Sequence, residues 1–207
     1  MKVLVACEYS GAVRDAFIAA GHNAMSCDLL PTDSPGPHHQ GDVAEILDRG
    51  WDLLIAHPPC TYLCNSGVRW LKTDLSRWGK MEAGCDLFLK LWNAPVPRIC
   101  IENPVMHGYA KKIIGSGPAQ SVQPWMFGHG ETKRTCFWLK GLPKLKPTDV
   151  VAGREQRIWK LPPTADRWKI RSQTYTGIAK AMAEQWGSLR NFPLDATQLP
   201  MQQFDLL

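Results

Sequence analysis

Cys60 stands in His57-Pro58-Pro59-Cys60, directly after the apolar run Leu53-Leu54-Ile55-Ala56. Two prolines fix the backbone there, so the thiol is held at the edge of whatever the apolar run builds, where a thiolate can meet a substrate. The alternative is one more buried thiol among the 7 cysteines of the chain. Glu102 follows a second apolar run, Ile99-Cys100-Ile101, and precedes Asn103-Pro104. Desolvation between Ile101 and Pro104 predicts a raised pKa and a carboxyl that donates a proton near neutral pH, with helix capping as the alternative role. A nucleophilic thiol beside a proton donor suits attack on an electron-poor ring that must be protonated as it is attacked. Cys60 and Cys64 lack the second closely spaced Cys or His pair of a tetrahedral site, so no metal ligand is predicted.

A cofactor would sit further upstream. The loop Cys7-Glu8-Tyr9-Ser10-Gly11 leads from an apolar run into a helical pattern, where backbone N–H groups and the helix dipole favour an anionic or polar ligand group. Asp28 lies 17 residues beyond Gly11, close to the ~20-residue spacing at which an acidic residue receives a ribose hydroxyl. With Asp42 following, these residues predict an adenosine-type pocket. The cofactor-binding candidates are Glu8, Tyr9, Ser10, Gly11, Asp28, Asp42 and Pro58. For the loop alone, a plain tight turn is the competing explanation.

The elements that must position these residues follow from periodicity. Buried strands are expected over 2–6, 23–27, 51–56 and 98–101, with a further strand over 133–139. Helices are expected over 12–20, closed by Gly21, then over 81–92 and 175–186. Strands separated by helix-length segments imply an α/β fold: a mostly parallel sheet with helices on both faces. Ligands bind beyond the carboxyl ends of such strands, and the candidates fall at four of those ends. Residues 61–80, with Arg69, Trp70, Lys72, Arg77 and Trp78, are expected to form a basic and aromatic lid, against the alternative of an ordinary surface loop.

Composition bounds the rest. At 207 residues and 44% hydrophobic content, with 9 Trp, the chain is too apolar and aromatic for disorder and suits one core. No apolar run reaches the ~18–20 residues of a membrane helix, and Met1 runs straight into a strand-like segment, so a cytoplasmic location is expected. The odd cysteine count argues against a disulfide framework. The net charge of +5 is uneven: residues 130–190 hold 13 Lys and Arg against 5 Asp and Glu, while residues 1–129 hold 11 against 12. Within the basic part, Arg154, Arg157, Trp159, Lys160, Arg167, Trp168, Lys169 and Arg171 interleave cations with aromatics. Such a stretch suits phosphates and bases, including those of a single strand, and the bland alternative is a wrap whose Trp residues plug the core.

The order of these pieces resembles the S-adenosylmethionine-dependent DNA cytosine-5 methyltransferases, over roughly residues 1–187. Glu8-Tyr9-Ser10-Gly11 resembles the cofactor loop, Asp28 the acidic ribose ligand and Gly41-Asp42-Val43 the segment beside the adenine. Pro58-Pro59-Cys60 resembles the Pro-Cys nucleophile motif, and Ile101-Glu102-Asn103-Pro104-Val105 the motif whose Glu contacts the target base. Arg134 corresponds to the base-proximal arginine, and the segment from Thr176 to Met182 to the closing helix. Thr61 stands where Gln usually follows the nucleophile, and Ile178 where Asn is usual. Between Arg134 and Gly177 lie 42 residues, where relatives insert a whole target-recognition domain.

The resemblance implies a Rossmann-like methyltransferase sheet, S-adenosyl-L-methionine as cofactor, and methyl transfer to carbon 5 of cytosine in DNA, single-stranded or as a short duplex site. Cys60, Glu102 and Arg134 would be catalytic. Asn103, Arg69, Lys72, Arg154, Arg157, Lys169 and Arg171 would contact substrate, and a partner protein could supply target recognition. Cytosine in RNA, a free nucleotide, and a non-catalytic nucleic-acid-binding regulator are the alternatives. Residues 1–190 are expected to form one catalytic domain in which 141–174 is a vestigial basic substrate-contacting segment. A phage origin is expected, with residues 191–207 an extended or disordered tail.

Overall fold

A computed structural model describes residues 1–191, so nearly all of the expected tail, residues 192–207, lies outside the described residues. Seven strands form one sheet in the order β3-β2-β1-β4-β5-β7-β6. These are β1 (Lys2–Ala6), β2 (Asn23–Asp28), β3 (His38–Gln40), β4 (Leu53–Ala56), β5 (Ile99–Asn103), β6 (Gln120–Val122) and β7 (Thr135–Lys140). The first five pair in parallel, and β7 runs antiparallel to both β5 and β6. This is the mostly parallel, Rossmann-like α/β sheet that the sequence pattern predicts.

The central strands are apolar on both sides because both faces are covered. On one face α2 (Ser76–Trp92) and α3 (Gly108–Ile114) pack on Leu4, Leu54, Ile99, Ile101 and Trp138. Met81, Cys85, Phe88 and Leu91 form the buried stripe of α2, and Phe88 meets Trp138 edge-on at 5.3 Å. The opposite face takes α1 (Ala12–Ala19) and α6 (Thr176–Gly187) over Val3, Val5, Leu53, Ile55, Cys100 and Phe137. Helix α2 begins five residues before the expected Met81, since its first turn is polar and faces solvent. Val43–Glu45 form a short 3-10 helix whose N-cap Asp42 accepts from Ala44 N–H at 2.8 Å.

The order reverses between β1 and β4, and at such a switch point the loops leaving the two strands diverge and open a crevice. Register places Ala6 beside Cys27 and Ala56, and Ala56 beside Ile101, so the carboxyl ends of β1, β2, β4 and β5 share one edge. The basic segment holds two short helices, α4 (Arg157–Lys160) and α5 (Arg167–Ser172). Their tryptophans are not core: Trp159 is 76% exposed and Trp168 48%. No helix among the described residues is long and apolar enough to cross a membrane.

Candidate active site

Residues 7–10, 57–60, Glu102, Pro104, Lys133, Arg171, Ser172 and Thr174 line one open cleft at this edge. The expected nucleophile and carboxylate therefore share a cleft with the expected cofactor loop. Pro58 is buried and Pro59 exposed, and Cys60 is half-buried at the mouth.

Glu102 takes the opposite protonation from the one its apolar flanks suggest. Burial alone would raise its carboxyl, but a hydrogen bond from His57, the charge of His57 and the charge of Lys133 outweigh it, and its pKa is lowered. The His57 Nδ1 to Glu102 Oε2 separation is 3.4 Å. An ionised carboxylate only accepts, so the proton of that bond is carried by Nδ1, and the other ring nitrogen is Nε2. That Nε2 is buried with no partner.

Lys133, next to the expected Arg134 in sequence, lines the cleft as a cation together with Arg171. Burial lowers its pKa, while Glu102 and Cys60 hold its proton. Its ammonium donates to the Gln173 carbonyl at 3.1 Å. Arg134 is exposed and outside the cleft. Alternation explains the difference: Lys133, Thr135 and Phe137 line a second small pocket with Glu102, while Arg134 and Cys136 point to the other side. Glu102 opposite Phe137 in the β5–β7 register carries that signal.

Cys60 and Cys64 lie one turn apart, with Cys64 N–H donating to the Cys60 carbonyl at 3.0 Å. The two thiols form a coupled pair. The thiol of Cys60, donating to Cys64, is pushed up by that bond, then by burial, the Cys64 charge and Glu102, with Arg171 opposing. Cys64 is drawn down to about 5, first by the Cys60 bond, against burial, and then by Ser66 and the Gly67 backbone. Its sulfur is 3.0 Å from Ser66 Oγ. The pair holds one thiolate, and in this arrangement it sits on Cys64.

The cofactor loop is built around charges of its own. Cys7 adopts φ 56, a conformation that a side chain takes only when its surroundings impose it. Its thiol is pushed up to about 12 by burial, then by Asp28, Cys27 and Asp42, so both carboxylates act on the same loop. The Glu8 carboxylate, expected to face a cofactor, accepts instead from Val13 N–H at 2.7 Å and Arg14 N–H at 3.2 Å. The start of α1 therefore already has its anion. Arg14, whose type gave no sign of a core position, is fully buried and donates to Ser26, Thr32 and the Ser34 carbonyl. It thereby ties α1 to the loop that follows Asp28. Gly11 makes room for it: φ is +74, and a Cβ there would strike the Arg14 guanidinium. Asp28 Oδ1 accepts from Leu30 N–H at 2.9 Å.

Tyr9 reaches out of the loop into the basic segment. Its hydroxyl lies 2.9 Å from Ser172 Oγ and donates to the Lys169 carbonyl at 3.3 Å, and its ring meets Trp168 at 5.7 Å. Lys169 also lies 3.9 Å from Asp33.

The expected substrate contacts divide into three groups. Asn103 is fully buried and donates to the Pro58 carbonyl at 3.1 Å, which binds the end of β5 to the Pro-Pro turn and removes Asn103 from any substrate. Arg154 lies 3.9 Å over Trp125, and Arg157 pairs with Glu131 at 2.9 Å, so these two brace the segment from within. Arg69 over Trp70, Lys72 and Arg171 are exposed cations, Lys169 is half-buried, and Arg171 also lines the cleft. In the expected lid, residues 65–72 form a 3-10 helix and 76–80 the first turn of α2. Among the described residues no cluster of His, Cys, Asp and Glu could hold a metal ion.

Among solved structures the chain is similar to a candidate DNA modification methyltransferase encoded within an E. coli prophage, at 15% identity and a TM-score of 0.48. That likeness covers 78% of this chain and 55% of the other. It is also similar to the Entamoeba histolytica methyltransferase EhMeth, at 15% identity and a TM-score of 0.45, over 75% of this chain and 57% of that one. The chain thus spans little more than half the length of either. No family model and no curated protein matches it.

Proposed function

We propose that residues 1–190 form an S-adenosylmethionine-dependent methyltransferase unit acting on carbon 5 of cytosine in DNA, with Cys60 as nucleophile. The observation that carries the reading is the meeting of Cys60 and Glu102 in the cleft that the 7–10 loop also lines. The residues there fit the cofactor: Tyr9 and Ser10 face the cleft, and Asp28 and Asp42 set a negative field at Cys7, suited to a ribose and a cationic sulfonium. Bound there, S-adenosylmethionine supplies the methyl group.

The chain's own residues do the rest. As Cys60 sulfur bonds to carbon 6, its proton passes to the Cys64 thiolate, so the pair's single negative charge moves into the new bond. Glu102, held ionised, accepts from the exocyclic amine and fixes the ring. Lys133, whose lowered pKa suits a general acid, takes over from Arg134 as the base-proximal cation and gives ring nitrogen 3 the proton that attack demands. Carbon 5 then takes the methyl group, water accepts the carbon 5 proton as the carbon 6–sulfur bond breaks, the negative charge returns to the Cys60–Cys64 pair, and ring nitrogen 3 gives its proton back to Lys133. The target base must leave the stack to reach the cleft, and the exposed Trp70, Trp159 and Trp168 beside Arg69, Lys169 and Arg171 suit DNA around such a base.

The test is transfer of label from methyl-tritiated S-adenosylmethionine to duplex DNA, single-stranded DNA, RNA and dCMP, repeated with Cys60→Ser and Glu102→Gln. Label in 5-methylcytosine with the intact protein, lost in both variants, supports the reading. A covalent adduct to 5-fluorocytosine DNA that persists in Cys60→Ser would remove Cys60 as nucleophile. Label on RNA or dCMP alone would move the substrate class, and intact cofactor binding with no transfer anywhere would leave a binding protein.

A further inference from the structure

Cys60 and Cys64 differ in access. Cys60 lines the cleft, whereas Cys64 is buried directly behind it and bridged to Cys60 by the 3.0 Å backbone bond that closes the turn. The closed turn sets the two residues at a separation a disulfide can span, and the Cys64 sulfur lies 3.0 Å from Ser66 Oγ. The remaining cysteines, Cys7, Cys27, Cys85, Cys100 and Cys136, are free as well, yet this is the pair that one turn holds together at the cleft. An accessible thiol backed by a second thiol in contact is the arrangement that lets an oxidised cysteine be trapped before it goes further.

We propose that Cys60–Cys64 is an oxidation site, in which a hydroperoxide converts the pair to a reversible disulfide at the mouth of the cleft. Cys60 sulfur attacks the peroxide oxygen. The O–O bond breaks, water or an alcohol leaves, and Cys60 becomes a sulfenic acid. Cys64 sulfur, as the thiolate, then attacks Cys60 sulfur, the S–O bond breaks, and hydroxide leaves. A thiol and a thiolate have together given two electrons and one proton to the peroxide, and hydroxide carries away the charge. A dithiol reductant reverses the change by exchange. The redox chemistry stands on the geometry of the pair alone. Its consequence, a nucleophile withdrawn from service, rests on the methyl-transfer reading.

The experiment treats the full chain with hydrogen peroxide, quenches with iodoacetamide and maps the tryptic peptide 50–69, which carries both residues. The expected result is a peptide lacking two hydrogens and refusing alkylation, restored by dithiothreitol, while the other five cysteines still alkylate. In Cys64→Ala the same treatment drives Cys60 on to sulfinic acid, because nothing traps the sulfenic acid. Sulfinic or sulfonic acid on Cys60 in the unsubstituted chain with no bridged peptide, or a bridge from Cys60 to any other cysteine, overturns the proposal. Methyl transfer, assayed in parallel, falls in step with the bridged fraction and returns on reduction. Bridging that leaves transfer untouched would count against Cys60 as nucleophile and not against the pair.

Discussion

The Nδ1 of His57 faces the Oε2 of Glu102 across 3.4 Å, joining the end of β4 to the end of β5. A glutamate between apolar neighbours is thereby kept as an anion, with an imidazole as its donor. Replacing His57 with Leu removes that donor and leaves burial to act, so the Glu102 carboxyl titrates higher than in the parent, as carboxyl-carbon NMR would follow. The sign for stability comes from the same shift. A lowered pKa gives stability that is present above the ordinary 4.5 of a glutamate and is lost as pH falls through the folded-state value. His57→Leu gives up that contribution, and its denaturation midpoint at neutral pH falls towards its own acid value. A Glu102 titration that stays put would remove His57 from this role.

Lys133 and Arg134 offer a contrast between neighbours. Removing the ammonium that lines the cleft with Lys133→Met should lower the rate of methyl transfer roughly a hundredfold, the scale of losing one charge-stabilising donor. Arg134→Ala should leave it unchanged, because that side chain is exposed outside the cleft. Single-turnover rates with both variants decide it, and the reverse order would restore Arg134.

Two glycines predict opposite stability changes. Gly11→Ala places a methyl against the buried Arg14 at φ +74 and should cost about 2 kcal/mol or more, combining left-handed strain with displacement of a buried cation. Gly79 lies in α2 with nothing within 4 Å of an added Cβ, and Gly79→Ala should gain up to ~1 kcal/mol from helix propensity. Urea denaturation of both variants reads the difference.

Free and braced cations should separate in binding. Lys72→Ala removes an exposed charge, and each lost phosphate contact should reduce the slope of log affinity against log salt by about 0.9 on duplex DNA and ~0.7 on single strands. Arg157→Ala should lower thermal stability with little change in that slope, since it unhooks Glu131, which also accepts from Tyr175 at 2.6 Å. Filter binding across a salt series measures both, and a full unit lost with Arg157→Ala would make it a phosphate contact.

The central strands were legible because burial on both faces leaves an unbroken apolar run, as in Val3-Leu4-Val5-Ala6 and Leu53-Leu54-Ile55-Ala56. Strands β3 and β6 were not, since His38-His39-Gln40 and Gln120-Ser121-Val122 are short, lie at the sheet's two edges and carry no such run. At the cleft, residue type and strand end together marked Cys60 and Glu102. They did not give the proton on Glu102, because His57 looks like punctuation before two prolines until β4 and β5 are paired. Nor could a linear reading separate Lys133 from Arg134, whose difference is the side of a strand. Glu8 and Arg14 were hidden for a related reason: a carboxylate in a loop reads as ligand-seeking until the helix after it claims both oxygens, and a buried arginine has no periodic signature.

The contact between Tyr9 and Ser172 makes the loop at the end of β1 and the basic strap one mechanical piece. Anything that seats among residues 7–10 must do so beneath α5, and anything that α5 grips must be gripped by a strap already resting on that loop. On the proposed function, cofactor and DNA are therefore expected to bind with coupled affinities.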